Sequence, residues 1–132
     1  MFRSNSERGA AAVEFAFIVP VLLLLVMGIM NFGYLFNQQI SASNAAREGA
    51  RYAAVHYSDS GFGYSAIEGA ATSAAPSLRM VKPISVTYSA GGACAAGTTV
   101  TVKVLAVKGW LINFLPFSAP QITGIGVMQC GG

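Results

Sequence analysis

Phe15 to Phe36 reads FAFIVPVLLLLVMGIMNFGYLF, twenty-two residues in which Asn31 is the one strongly polar side chain. As a helix this stretch reaches about 33 Å, enough to cross the roughly 30 Å hydrocarbon core of a bilayer. Charge is missing over a wider region still, from residue 15 to residue 46, whereas Arg3, Glu7, Arg8 and Glu14 crowd the first fourteen positions. A basic start before an apolar run also describes a cleaved secretory signal. Two features favour a retained helix. The run exceeds the roughly 7 to 15 residues of a signal core, and Asn31 to Gln39 separates it from Ser41-Ala42-Ser43, the nearest small-x-small site. Arg3 and Arg8 place the N-terminus in the cytoplasm, a bias that Arg47 and Arg51 beyond the span weaken.

The whole chain has 132 residues, 54% apolar and 10% charged, which allows one small domain plus an appendage. Its formal charge of +3 comes from basic residues scattered as Arg3, Arg8, Arg47, Arg51, Arg79, Lys82, Lys103 and Lys108, without the stripe of a nucleic-acid binder. One histidine, two cysteines and five acidic residues leave little to build an active site. His56 and Asp59 stand near Ser58 and Ser60, but no strand-turn-helix nucleophile elbow surrounds them. Gly61-Phe62-Gly63 is too short for a phosphate loop. His56 with two cysteines 36 apart is not a zinc ligand set. The expectation is a protein with no catalytic residues, cofactor, metal or small-molecule substrate.

Glu14 is the informative anomaly, because a carboxylate deep in a bilayer costs about 2.5–3.5 kcal/mol on insertion scales. Its context is Arg8-Gly9-Ala10-Ala11-Ala12-Val13-Glu14-Phe15, with Pro20 further on and Ala45-Ala46-Arg47-Glu48-Gly49-Ala50-Arg51 after the span. A short basic leader ending in Gly9, then Glu14 five residues later and followed by an aromatic, resembles the class III signals of prepilins and pseudopilins. The ordered set of cleavage motif, proline and AAREGAR segment over residues 8 to 55 resembles the TadE-like family of the tight-adherence (Tad, or Flp) pilus system.

That resemblance implies a noncatalytic minor pseudopilin that supports assembly of type IV-like pili. Residues 1–9 would be a leader cut between Gly9 and Ala10 by a prepilin peptidase, leaving six basic and four acidic side chains, or +2. Gly9 lets the peptidase approach the backbone without a Cβ in the way and gives an extended stretch ahead of the helix. Glu14, with Phe15 beside it, would meet the new amine of Ala10 on a neighbouring subunit or its own chain, a pairing that a low dielectric strengthens. The implied partners are the peptidase, other pilin-like subunits, membrane lipid and an inner-membrane assembly platform, with a secretion ATPase acting indirectly. The implied location is the inner membrane, single-pass, with the C-terminal domain periplasmic, or the extracellular pilus itself. The competing reading from another class is an uncleaved bitopic membrane protein with a periplasmic binding or anchoring domain. A type II secretion pseudopilin is a closer variant, and the TadF-like sister family fits as well.

The expected architecture is α+β and pilin-like. Residues 10–36 form the membrane or assembly part of one helix, where Pro20 removes a donor and kinks or hinges it. Residues 37–56 continue it amphipathically, giving about 70 Å from Ala10 to Val55. Ala42, Ala45, Ala46, Gly49, Ala50 and Ala53 recur at spacings of three and four, a seam of small residues that lets another backbone come close. Residues 57–132 form a small periplasmic domain. It has a loop at Tyr57–Tyr64, a short helix at Ser65–Ala75 stopped by Pro76, and strands around Ile84–Tyr88 and Thr99–Ala106 by period-two alternation. A third strand is expected at Gln121–Gln129, where Gly124 and Gly126 weaken the strand or mark a close backbone contact. Cys94 in the hairpin connection and Cys130 after the last strand can form one disulfide in an exported domain, the alternative being two free thiols. Trp110 to Phe117 (WLINFLPF) is too apolar for an ordinary loop; it either caps the sheet or forms an exposed docking patch.

Overall fold

The computed structural model describes residues 4–113 and 115–131. The first three residues of the proposed leader, Phe114 of the apolar segment and Gly132 lie outside it. The architecture is α+β: a long helix, a short helix and a three-stranded antiparallel sheet.

Helix α1 (Ser4–His56) is 53 residues long, about 80 Å by its rise. It therefore starts before the expected Ala10, and Gly9 is helical rather than extended. The local reason is the run Ala10-Ala11-Ala12 that follows, since alanine is the strongest helix former and offsets the roughly 1 kcal/mol cost of one glycine. Pro20 lies inside α1, where it leaves the carbonyl four residues back without its usual donor.

Helix α2 (Tyr64–Ala74) starts from Gly63 in extended conformation and ends two residues before Pro76, the Ala75 amide bonding the Thr72 carbonyl at 3.3 Å. The strands β1 (Met80–Tyr88), β2 (Thr99–Ala106) and β3 (Thr123–Gln129) pair in the order β1-β2-β3. β1 begins four residues earlier than its alternation suggested. Its register breaks between Val81 and Ser85, around Pro83, which lacks a ladder donor and is accommodated because β1 is an edge strand. β3 is shorter than expected at its start: the Gln121 side chain donates to the Ala106 carbonyl at 2.6 Å beside the strand end.

The core lies between the sheet, α2 and the second half of α1. Val100, Val102 and Val104 of β2 and Ile67 of α2 supply its bulk, and Ala42, Ala45, Ala46, Ala50 and Ala53 of α1 its floor. Gly49 sits beneath Val102 and Ala71: a Cβ there would lie 3.3 Å from Val102 Cγ1.

β3 lies directly on the helix backbone. A Cβ on Gly124 would fall 2.7 Å from the Ser43 nitrogen and closer to the Ala42 carbonyl; one on Gly126 would meet Arg47 and Ala46 in the same way. The spacing has a simple origin. Two residues of strand advance about 6.6 Å and four residues of helix about 6 Å, so glycines two apart fall in step with alanines four apart. Ile125 and Val127, alternating with the glycines, point outward and are exposed. The Gly131 amide then bonds the Ala54 carbonyl at 3.1 Å, tying the chain end to the top of α1.

Candidate functional site

α1 is clad over its second half and bare from Gly9 to Met30. None of its most apolar 18-residue window is buried, and that segment qualifies as a membrane span by length and composition. Gly9, Ala10 and Glu14 are exposed on this bare half, as is Phe15 at 69%. Nothing lies within 4 Å of a Cβ built on Gly9, so the space around the proposed cut is open. Pro20 is exposed on the same segment.

The seam residues Ala42, Ala46, Gly49, Ala50 and Ala53 are buried under the chain's own β3, α2 and β2. They are 28 or more residues from Glu14, a separation of at least about 42 Å along the helix. The structure thus gathers the sequence-derived positions into two groups. Gly9, Ala10, Glu14 and Phe15 share the bare end, and the small-residue seam holds the domain.

Between them stands a polar boundary that sequence reasoning noted without assigning. Asn31 is 2% exposed although it sits in the apolar run, because its Oδ1 accepts the backbone N–H of Ile112 at 3.0 Å. That bond ties Ile112, within the apolar stretch after β2, to α1. One helical region further on, Gln38 is buried, and the Gln39 Nε2 donates to the Thr123 carbonyl at 2.9 Å, where β3 begins. The cue for Asn31 was a polar side chain interrupting an apolar stretch; Gln38 and Gln39 belong to the polar run Asn37-Gln38-Gln39 that follows it.

Ion pairs lie on the domain. Glu48 and Arg51 meet at 2.7 Å, and the guanidinium hydrogen bond holds the carboxyl below its ordinary range. Lys82 of β1 reaches Glu68 of α2 at 2.9 Å and, with the Tyr64 hydroxyl at 3.0 Å, lowers the Glu68 pKa. Tyr64 also lies 2.7 Å from the Ile84 carbonyl, and burial followed by the Glu68 contact raises its pKa to about 12. His56 Nδ1 and Asp59 Oδ2 are 2.6 Å apart on the turn that ends α1, both exposed. Cys94 and Cys130 are bonded to one another with Cα atoms 5.8 Å apart, next to the Gly131–Ala54 tie. Among the described residues no three His, Cys, Asp or Glu side chains gather as metal ligands.

The arrangement is one of surfaces: an apolar helix segment from Gly9 on in need of a nonaqueous environment, carrying one carboxylate, Glu14, and a domain fastened to the other half. No curated protein and no solved structure matches the chain. A family model described as TadE-like protein matches residues 9–51, from the glycine of the proposed cut to the last arginine of AAREGAR. TadE-like pilus proteins are structural rather than catalytic, and they associate with other pilus components. Over residues 9–51 the chain is similar to the TadE-like family, a resemblance that implies a part in Tad pilus assembly.

Proposed function

We propose that the chain is a noncatalytic, minor pseudopilin-like subunit. In this reading a prepilin peptidase removes residues 1–9, and the mature helix supports Tad/Flp pilus assembly from the inner membrane with the domain on the periplasmic side. The observation that carries this is the coincidence of the family match with the bare part of α1 from Gly9 on and its single carboxylate, Glu14.

Cleavage after Gly9 would make Ala10 the first residue of the helix. Glu14 would then stand one turn, about 6 Å, from a new positive amine and close to the positive end of the helix dipole. A neighbouring subunit offers the same amine, and water is excluded where apolar helices pack. Attraction between the pair is then far stronger than in solvent, while an unpaired Glu14 is penalised. Each added subunit thereby acquires a reason to seat at one depth against its neighbour. Other pilin-like subunits and the inner-membrane platform are the partners this requires.

The continuity of α1 through Gly9 favours one rival, the uncleaved bitopic membrane protein, since a peptidase needs that turn unwound. Intact mass of membrane-extracted protein separates the two. The expected mature chain begins at Ala10, and Gly9→Val retains the leader. Wild-type protein that keeps residues 1–9 would overturn the reading.

A further inference from the structure

The connection from β2 to β3, Val107 to Ile122, is longer than the roughly 12–15 residues beyond which a loop inside a compact domain has a function of its own. It carries one charge, Lys108, and the chain's single tryptophan, Trp110. Leu111 and Phe117 are 51% and 58% exposed. We propose that this loop is a second membrane contact. Trp110, Leu111 and Phe117 insert at the headgroup–acyl boundary of the periplasmic leaflet, and Lys108 meets lipid phosphate.

Depth is the first argument. A hydrocarbon core needs about 20 helical residues. If the span starts at Ala10 it ends near Ile29; if Glu14 is kept at the inner boundary and the span starts at Phe15, it ends near Tyr34. Asn31 falls between the two limits, and Asn31 is where Ile112 is fastened. Both placements set the loop within about 5 Å of the outer hydrocarbon edge. The domain's one long apolar loop is thus held where the lipid surface must be.

Internal bonding is the second. Trp110 Nε1 donates to the Phe117 carbonyl at 2.8 Å, and the two rings meet edge to face at 5.6 Å between centroids. The indole donor is satisfied within the loop while neighbouring apolar surface faces outward. That is the pattern a lipid-facing element needs, since unsatisfied donors are costly there and tryptophan concentrates at the interface. On α1, Phe32 and Phe36 are also exposed and, with Leu35, Gln39 and Ile122, the last loop residue, line an open and mostly apolar groove of about 230 Å³. Exposed apolar surface on α1 thus reaches Ile122 at the end of the loop. A periplasmic domain held by a helix alone could swing about it; a second contact fixes its height and tilt, and with them the surface offered to the next subunit.

The inference rests on α1 being a membrane span, and the test separates the two. The full chain is reconstituted into phosphatidylcholine vesicles with a minority of phosphatidylglycerol. Flotation with the vesicles reports the span. Trp110 fluorescence reports the loop alone. Expected are emission at shorter wavelength than for solvent-exposed indole, strong quenching by lipids brominated near the headgroup, weaker quenching by lipids brominated near the chain ends, and loss of headgroup-level quenching in Leu111→Asp. Protein that floats with solvent-like, bromolipid-insensitive emission overturns the loop contact and leaves the span standing. Short-wavelength emission that ignores bromolipid but depends on the protein-to-lipid ratio overturns it in favour of a second copy covering the patch. Protein that does not float overturns both.

Discussion

Gly126→Ala adds one carbon atom where β3 rests on α1, and the cost can be worked from the contact. On the existing backbone that carbon lies 2.7 Å from the Arg47 nitrogen and nearer to the Ala46 carbonyl. Non-bonded heavy atoms prefer roughly 3.5–4.0 Å, so β3 must withdraw by about 1 Å. α1 cannot yield, because Ala46 is a middle turn of a continuous helix with its own hydrogen bonds to keep. Withdrawal loosens β2 as well, since Val102 pairs with Gly126 across the sheet and packs over Gly49. A gap of 0.5–1 Å forfeits about a quarter to a half of each dispersion contact, and overpacking of this kind costs about 1–3 kcal/mol. For full-length protein in micelles, amide exchange in β2 and β3 should then speed up by about 5- to 150-fold where exchange follows domain opening. Gly69→Ala is the matched control: nothing lies within 4 Å of its Cβ position, and alanine in α2 should stabilise by about 0.5–1 kcal/mol. If Gly126→Ala exchanges as slowly as wild type, the argument from close approach is wrong.

Four other outcomes follow from the same contacts. Replacing Cys94 and Cys130 by alanine should cost about 3–4 kcal/mol by the chain entropy of a loop this long, read as faster exchange at the Cys130–Gly131 end of the domain. Glu68 has its pKa lowered in the folded chain, so its contribution is present above the ordinary value of 4.5 and fades as pH falls below it; Glu68→Gln should flatten acid unfolding there, by no more than about 1 kcal/mol for so exposed a lysine partner. Asn31→Leu removes the acceptor for the Ile112 amide, and exchange at that amide should quicken while the β2–β3 amides keep their protection. Glu14→Gln keeps shape while deleting charge, so the protein should reach the membrane and be processed yet fail to restore surface pili to a deletion strain; normal piliation would reduce Glu14 to a boundary residue.

Much of this fold could be read before the structure because its signals are one-body signals. The charge gap from residue 15 to 46 needs no partner to be recognised, nor does the period-two alternation of Val100, Val102 and Val104. The small-residue seam was legible too, since alanine and glycine at helical spacing announce that something will come close. What came close was not legible. Gly124 and Gly126 read equally well as a weak strand or as a packing surface, and only the match of strand rise to helix rise decides for the second. Asn31 was opaque for a different reason. Its partner is the backbone N–H of Ile112, 81 residues away, and every residue but proline carries such a donor. The end of α1 was legible to within a residue, whereas its extension before Ala10 was not, because helix continuity through Gly9 depends on neighbours rather than on glycine's own preference.

The division of α1 also separates two stabilities that a single unfolding measurement would merge. From Val13 to Met30, twelve large apolar side chains are exposed. At about half of the 1.5–3 kcal/mol that full burial of each is worth, their removal from water amounts to on the order of 10–20 kcal/mol. That equals or exceeds the whole stability of an ordinary small domain, about 5–15 kcal/mol. The bare half must therefore stay in lipid or against other apolar helices whether or not the domain is folded. A lesion in the seam, such as Gly126→Ala, loosens the domain without releasing the chain from the membrane. A lesion at Glu14, at least about 42 Å along α1 from the seam, should leave the domain intact, and under the proposed function its effect should fall where helices meet. Asn31 joins these regimes: through Ile112 it links the domain to the edge of the span, in addition to the seam further along α1.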